Sequence, residues 1–343
     1  MRCRLIVVAW LLLLAACGKP PVHTREAFVF GTRVEVLIAD TDAARAKAAS
    51  TAVLQEFDRL HRTYHAWQVS DLTALNDALA AGKAHTVSAE LAAFIADAQQ
   101  MSATGEHLFD PGIGALIRLW GFQSDEFKPQ LPDPEALAAW RAAAPSIADL
   151  RLDGEQVTSA KPEVQLDFGG YLKGVALDRA AALLRAQGVN NALINIGGNV
   201  MALGSKYGEP WRIGIQHPRQ PGALATLQLR DGEAIGTSGD YQRYFEYDGK
   251  RYCHLLDPRT AAPVAHTQSL TVLVSPRPQA GMVSDAASKP LFIAGAVEWS
   301  RLAQQLAIGD VLRVDADGRV QVTRSLAARL KFEPGVPAPE IID

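Results

Sequence analysis

Cysteine is scarce. Of 343 residues only Cys3, Cys17 and Cys253 are cysteines. Two of them fall in the first 17 positions, so the body of the chain has one thiol and cannot form an internal disulfide. Cys253 stands beside His254 in a strand-like stretch, where adjacent side chains point to opposite faces; the pair makes a poor dyad and Cys253 reads as core. Long basic runs are missing as well. Lys and Arg number 34 against 37 Asp and Glu, a net charge of −3, which argues against a phosphate-tracking surface for nucleic acid. No repeat with a period of about 20 to 50 residues recurs. No P-loop is present and no Gly-x-Gly-x-x-Gly opens a helix after a strand, so the usual nucleotide folds are not indicated. His61 and His65 lack the carboxylate or third ligand of a zinc site.

What is present begins with a leader. Arg2 and Arg4 precede an apolar run from Leu5 to Ala16, followed by Cys17 and Gly18. A spanning helix needs about 20 apolar residues, so residues 1–16 read as an export signal. Cys17, set directly after Leu14-Ala15-Ala16, resembles the acylated cysteine of a bacterial lipobox. The expected product is a lipoprotein held to a membrane through Cys17 and facing the periplasm, with residues 17–26 as tether. Gly18 is not the aspartate associated with inner-membrane retention, which leaves inner and outer membrane open. The remainder, residues 27–335, is apolar enough to bury a core: the whole chain is 48% hydrophobic and 21% charged.

Within that body the alternation from Phe28 to Ile38 predicts a strand. Periodicity predicts helices over Ala43 to Leu60, Ser88 to Met101, Pro111 to Trp120, Glu135 to Ala143, Gly169 to Gln187, Gln279 to Ile293 and Val297 to Leu306. Hairpins are expected at Asp153-Gly154 and Asp248-Gly249. Further strands fall near Leu193, Val200, Trp211 to Gln216, Ala223 to Leu229 and Ser269 to Ser275. Helices and hairpins mixed in this way imply an α+β body rather than a doubly wound parallel sheet.

Candidate chemistry gathers at glycines and carboxylates. At ~100° per residue, Lys173 falls inside the apolar arc of the helix after Gly169-Gly170, with Asp178 opposite. An inward lysine there has an anionic partner, an anionic ligand, or a snorkelling path to solvent. Gly197-Gly198 and Thr237-Ser238-Gly239 offer either ligand-binding amides or plain turns. His254, Asp257, Arg259 and Thr260 bring a base, a carboxylate and a guanidinium to one strand end. Asp285 opens a helical stretch, where a carboxylate caps the helix or binds a hard cation.

In order along the chain stand Phe30-Gly31-Thr32, Ser70 to Asn76, Phe109-Asp110-Pro111 through Trp120-Gly121-Phe122, Leu166 to Gly170 with Lys173-Gly174 and Asp178, Asn195-Ile196-Gly197-Gly198, Thr237 to Tyr241, His254 with Asp257 to Thr260, and Asp285 before Leu291-Phe292. From Phe28 to Phe292 the sequence resembles the ApbE-type FAD:protein FMN transferases. The resemblance implies an ApbE-like, T-fold-related two-lobed α+β body with FAD in the cleft between lobes. It also implies transfer of FMN to a threonine hydroxyl of a partner flavoprotein, of the Rnf or Nqr (sodium-pumping quinone reductase) type, with release of AMP. Mg²⁺ would sit at Asp285 and the Gly170 carbonyl, with Ser288 and Lys289 beside it. FAD would meet Phe30, Gly31, Thr32, Leu108, Phe109, Asp110, Asp167, Lys173, Gly197, Gly198, Thr237, Ser238, Gly239, Arg259 and Thr260, with Trp67 or Tyr64 as aromatic surface. His254 would be the base, assisted by Asp257.

Three positions depart from the family pattern. Phe30 replaces a usual methionine, Ala261 replaces a glycine after Thr260, and Lys289 stands where a metal-binding threonine is common. Two other readings remain open: an FAD pyrophosphatase with water as nucleophile, and a non-catalytic FAD-binding lipoprotein.

Overall fold

The computed structural model describes residues 21–124 and 126–343. The leader, Cys17 and the first part of the tether lie outside the described residues. Nine strands form one sheet, in the order His23–Val29, Thr32–Ile38, Ala192–Ile196, Asn199–Leu203, Ala234–Gly239, Thr267–Val274, Asp310–Asp315, Val320–Thr323 and Glu340–Ile342. Every pairing is antiparallel except the last. The chain leaves this sheet after Ile38 and after Val274, and the long helices that cover one face are made in those excursions.

Side-chain alternation divides the core. Ile194 and Ile196 face the helices Ala43–Thr63, Leu172–Ala186 and Ala280–Gln305, whereas Leu193 joins a second core on the other face. That face is covered by a three-stranded sheet of Trp211–Gln216, Ala223–Leu229 and Lys331–Phe332. With both faces covered, all eight residues of Thr267–Val274 are buried. A third cluster, including Leu116, Trp120, Phe122, Trp140, Phe245 and Leu256, forms a side lobe from the helices Gly114–Leu119 and Pro134–Ala143 and the hairpin Tyr244–Tyr247 with Lys250–Cys253. The α+β expectation holds. Among the described residues, no helix is long and apolar enough to cross a membrane.

Several expectations change. Phe28 to Ile38 is two arms of a hairpin, because Phe30 and Gly31 both take positive φ (57° and 68°), the conformation that turns a chain in two residues. The first arm begins at His23, inside the segment read as tether. A helix at Asp71–Ala80 was not anticipated; its start is fixed by a capping box in which Thr73, not the usual Glu or Gln, answers Ser70. Thr237 to Gly239 lie within a strand, not before one. The two C-terminal helices run as Ala280–Gln305 with a break at Gly295 (φ 78°, ψ −176°). Asp178, placed opposite the apolar arc from periodicity, is largely buried instead, and burial pushes its carboxyl up to about 6.

The reason lies in how Leu172–Ala186 meets Ala280–Gln305. Gly174 and Gly281 touch backbone to backbone: a Cβ on Gly174 would lie 2.5 Å from the Gly281 carbonyl oxygen, and one on Gly281 2.6 Å from that of Gly174. At this distance each helix start accepts a carboxylate from the other. Asp285 Oδ2 accepts from Gly174 N at 2.9 Å. Asp178 accepts from Gly281 N at 2.9 Å and Met282 N at 2.8 Å. Helix starts carry unsatisfied N–H groups and partial positive charge, so the exchange satisfies both. Gly174→Ala is expected to cost about 3 kcal/mol, the upper part of the range for forcing atoms into a packed contact. Urea unfolding measures it, and a loss under about 0.5 kcal/mol, the size of an ordinary surface substitution, would show that the contact is not tight.

Candidate active site

A cleft of about 1050 Å³ opens where the side lobe meets the main sheet and the helix starts. Of the residues singled out in the sequence, Phe30, Gly31, Thr32, Tyr64, Trp67, Leu108, Phe109, Asp110, Asp167, Gly170, Lys173, Gly197, Gly198, Thr237, Ser238, Gly239, His254 and Lys289 all line it. Residues as far apart in sequence as Phe30 and Lys289 therefore share one wall system. Asp257, Arg259 and Thr260 do not line it.

The glycine-rich wall is set by short hydrogen bonds. Asp167 Oδ1 accepts from Gly169 N at 2.9 Å and its Oδ2 from Gln123 Nε2 at 3.1 Å, tying this loop to the side lobe. Lys173 Nζ donates to the Gly169 carbonyl at 3.0 Å. That ammonium makes its hydrogen bond to a carbonyl, while its charge acts on the buried Asp285 carboxylate nearby. Gly197, at φ 57°, has no room for a Cβ, which would fall 2.5 Å from Thr32 Oγ1; Gly198, at φ 96°, has open space. Tyr64 is 3% exposed and donates its hydroxyl to Glu90 at 2.6 Å, so Trp67 presents the freer ring. Asp110 is a structural group. Its Oδ1 accepts from Gly112 N (2.7 Å) and Ile147 N (2.8 Å), and burial raises its carboxyl despite these bonds.

His254 is held by a carbonyl, not by a carboxylate. Its Nδ1 lies 3.1 Å from the Arg243 carbonyl oxygen, which needs an N–H there and leaves Nε2 as the unprotonated nitrogen. Burial, then the positive charges of Arg243 and Lys173, bring the imidazole down to about 3. The expected assistance from Asp257 is not seen: Arg259 grips that carboxylate through Nη2 at 2.8 Å and Nε at 3.0 Å. After Thr260, Ala261 does take a positive φ of 55°, the strain expected where glycine is replaced. Its carbonyl accepts from the buried Trp120 Nε1 at 2.9 Å, which holds the turn.

Arg243 is the residue that the sequence did not disclose. It lines the cleft, donates from Nη2 to the Phe122 carbonyl at 2.7 Å and lies 5.3 Å from the centre of the Phe127 ring. Only the pairing of its segment with residue 254, through His254 N to the Arg243 carbonyl at 3.0 Å, brings it to the imidazole. Its sole sequence signal was proximity to the Thr237 to Tyr241 motif. His61 and His65, discounted for zinc, also line the cleft, with ring centres 4.9 Å apart.

A sequence profile described as the ApbE family matches residues 30–312. The chain belongs to the ApbE family. It is 40% identical over 313 residues to the FAD:protein FMN transferase of Rhodobacter capsulatus, covering 91% of this chain and 59% of that one; the chain thus spans about three-fifths of that relative's length. To the FAD:protein FMN transferase of Vibrio cholerae it is 31% identical, with 92% and 95% covered. Among solved structures, the ApbE protein of Thermotoga maritima matches with a TM-score of 0.82 at 26% identity, covering 90% of this chain and 99% of that one. The flavinyl transferase ApbE of Pseudomonas stutzeri matches at 0.78 and 28% identity, covering 93% and 99%.

In this ApbE-family chain the residues expected around magnesium do converge, but the oxygen atoms of Asp285 and Ser288 are already used. Asp285 is fully buried, with Oδ2 on Gly174 N and Oδ1 on the Lys289 ammonium. Ser288 Oγ donates to the Asp285 carbonyl at 2.7 Å and meets Ser238 Oγ at 2.8 Å. Burial alone would raise the Asp285 carboxyl; the Lys289 and Lys173 charges hold it below the usual carboxylate range. An ammonium occupies the place of the cation, and the donor set does not fit magnesium.

The imidazole yields a prediction. Its proton is disfavoured in the fold, so the unfolded chain binds it first, and stability falls as pH drops from about 6.5 towards 3. His254 resonances in an NMR titration are expected to stay neutral from about pH 8 to 5; a midpoint near 6.5 contradicts the assigned environment.

Proposed function

We propose that this ApbE-family enzyme transfers FMN from FAD to a threonine hydroxyl of an exported electron-transfer flavoprotein and releases AMP. The observation that carries the reading is the convergence of Lys173, Lys289 and a neutral His254 on one cleft with the Gly169-Gly170 turn. Two ammonium groups beside exposed backbone suit a pyrophosphate, while the Trp67 ring suits a flat heterocycle.

The chemistry is a displacement at the phosphorus of the FMN half. The acceptor oxygen forms a bond to that phosphorus, the bond from it to the bridging oxygen breaks, and AMP departs with the bridging oxygen. The hydroxyl proton passes to His254 Nε2. A hydroxyl is a weak nucleophile until its proton is taken, and the charge on the departing phosphate needs cations, which Lys173 and Lys289 provide. The acceptor is of the Rnf or Nqr subunit type, and the enzyme works at the periplasmic face of a membrane, anchored through lipid on Cys17. That placement rests on the Leu5 to Cys17 pattern.

Mixing the chain from Gly18 onward with FAD and a threonine-bearing acceptor domain tests the reading. The expected outcome is AMP release matched by flavin fluorescence on the acceptor in a denaturing gel, reduced about 10²- to 10⁴-fold in His254→Ala, the usual weight of a positioned base. AMP with free FMN and an unlabelled acceptor would make it a pyrophosphatase; FAD bound intact would make it a carrier.

A further inference from the structure

The cleft brings its own cation. We propose that the Lys289 ammonium, fixed on Asp285, serves the phosphate-binding end of the cleft in place of a divalent ion, so that the pyrophosphate-bearing donor is taken up without metal at Asp285. This rests on the flavin reading above and adds the source of the positive charge.

Four observations support it. Asp285 is fully buried and both its carboxylate oxygens are engaged, one by the Gly174 N–H and one by Lys289. Its carbonyl oxygen is engaged too, by Lys289 Nζ at 2.8 Å and Ser288 Oγ at 2.7 Å. An incoming divalent ion therefore has to displace an ammonium from its only carboxylate and then remain beside it, with Lys173 adding further repulsion. Second, Gly170 makes room for the lysine: a Cβ there would stand 3.2 Å from Lys289 Cε. Third, an ammonium has three N–H donors, and two are used on Asp285, which leaves one for an anion. Fourth, Lys173 Nζ rests on the Gly169 carbonyl and not on a carboxylate, so a second ammonium already stands close enough to Lys289 to act on it with no ion added.

The test is binding of FAD by the full-length chain, followed by quenching of flavin fluorescence in excess EDTA and again in millimolar MgCl₂. Wild type is expected to bind FAD equally well in both, and Mn²⁺ added to the chain alone should keep the paramagnetic resonance spectrum of the free ion. Lys289→Thr, checked for a native circular dichroism spectrum, is expected to bind FAD about tenfold or more weakly in EDTA, the range of one lost charge-assisted hydrogen bond. Wild-type binding that EDTA abolishes and magnesium restores overturns the proposal, as does an unchanged affinity in Lys289→Thr. The wild-type arm decides even if the variant fails to fold. A chain that binds FAD under neither condition overturns the flavin reading and this proposal with it, whereas loss in EDTA alone overturns only the role of the lysine.

Discussion

The contact between Gly174 and Gly281 sets the geometry on which the rest depends. Two helices can each cap the other only if their first turns approach within backbone contact, and only glycine allows that approach at both positions. Once they meet, Asp178 and Asp285 are drawn out of solvent to serve N–H groups across the gap. The Gly169-Gly170 turn and Lys173 precede one glycine; Lys289 follows the other by two helical turns. Their meeting at the cleft is a consequence of the helix contact, and a small shift there would separate the cationic groups from the glycine-rich wall.

Local signals in the sequence carried much of this arrangement. The Asp248-Gly249 turn lies where a two-residue connection was expected, and the hairpin expected at Asp153-Gly154 is present with its turn one residue later, at Gly154-Glu155. Lys173, set apart because its helical phase conflicts with its charge, does line the cleft, half-buried with its ammonium on the Gly169 carbonyl. Asp178 was misplaced by the same method: phase says which side a residue occupies, not whether a second helix start waits on that side. The missed hairpin at Phe30-Gly31 has a similar cause. Both arms alternate, so the pattern runs through the turn unbroken, and phenylalanine gives no hint of positive φ.

The pairing of His254 with Asp257 failed for a reason already available in the sequence. Arg259, two residues on, lies close enough in sequence to claim the carboxylate. What no spacing rule disclosed was Arg243, whose carbonyl orients the imidazole while its guanidinium depresses its basicity. That relation depends on strand register, a property of the folded hairpin rather than of either segment.

Under the proposed function, the charges around His254 would let one residue be neutral at rest and basic in use. Burial and the nearby Arg243 and Lys173 charges both disfavour the imidazolium. A bound pyrophosphate would bring negative charge to the same cations, screening them from the ring and favouring its protonated form. The donor would thereby raise the basicity of the group that deprotonates the acceptor. With His254 as the proposed base, proton transfer would be favoured when donor phosphate is in place and disfavoured when it is not, which would couple activation of the hydroxyl to the presence of the bond it is to attack.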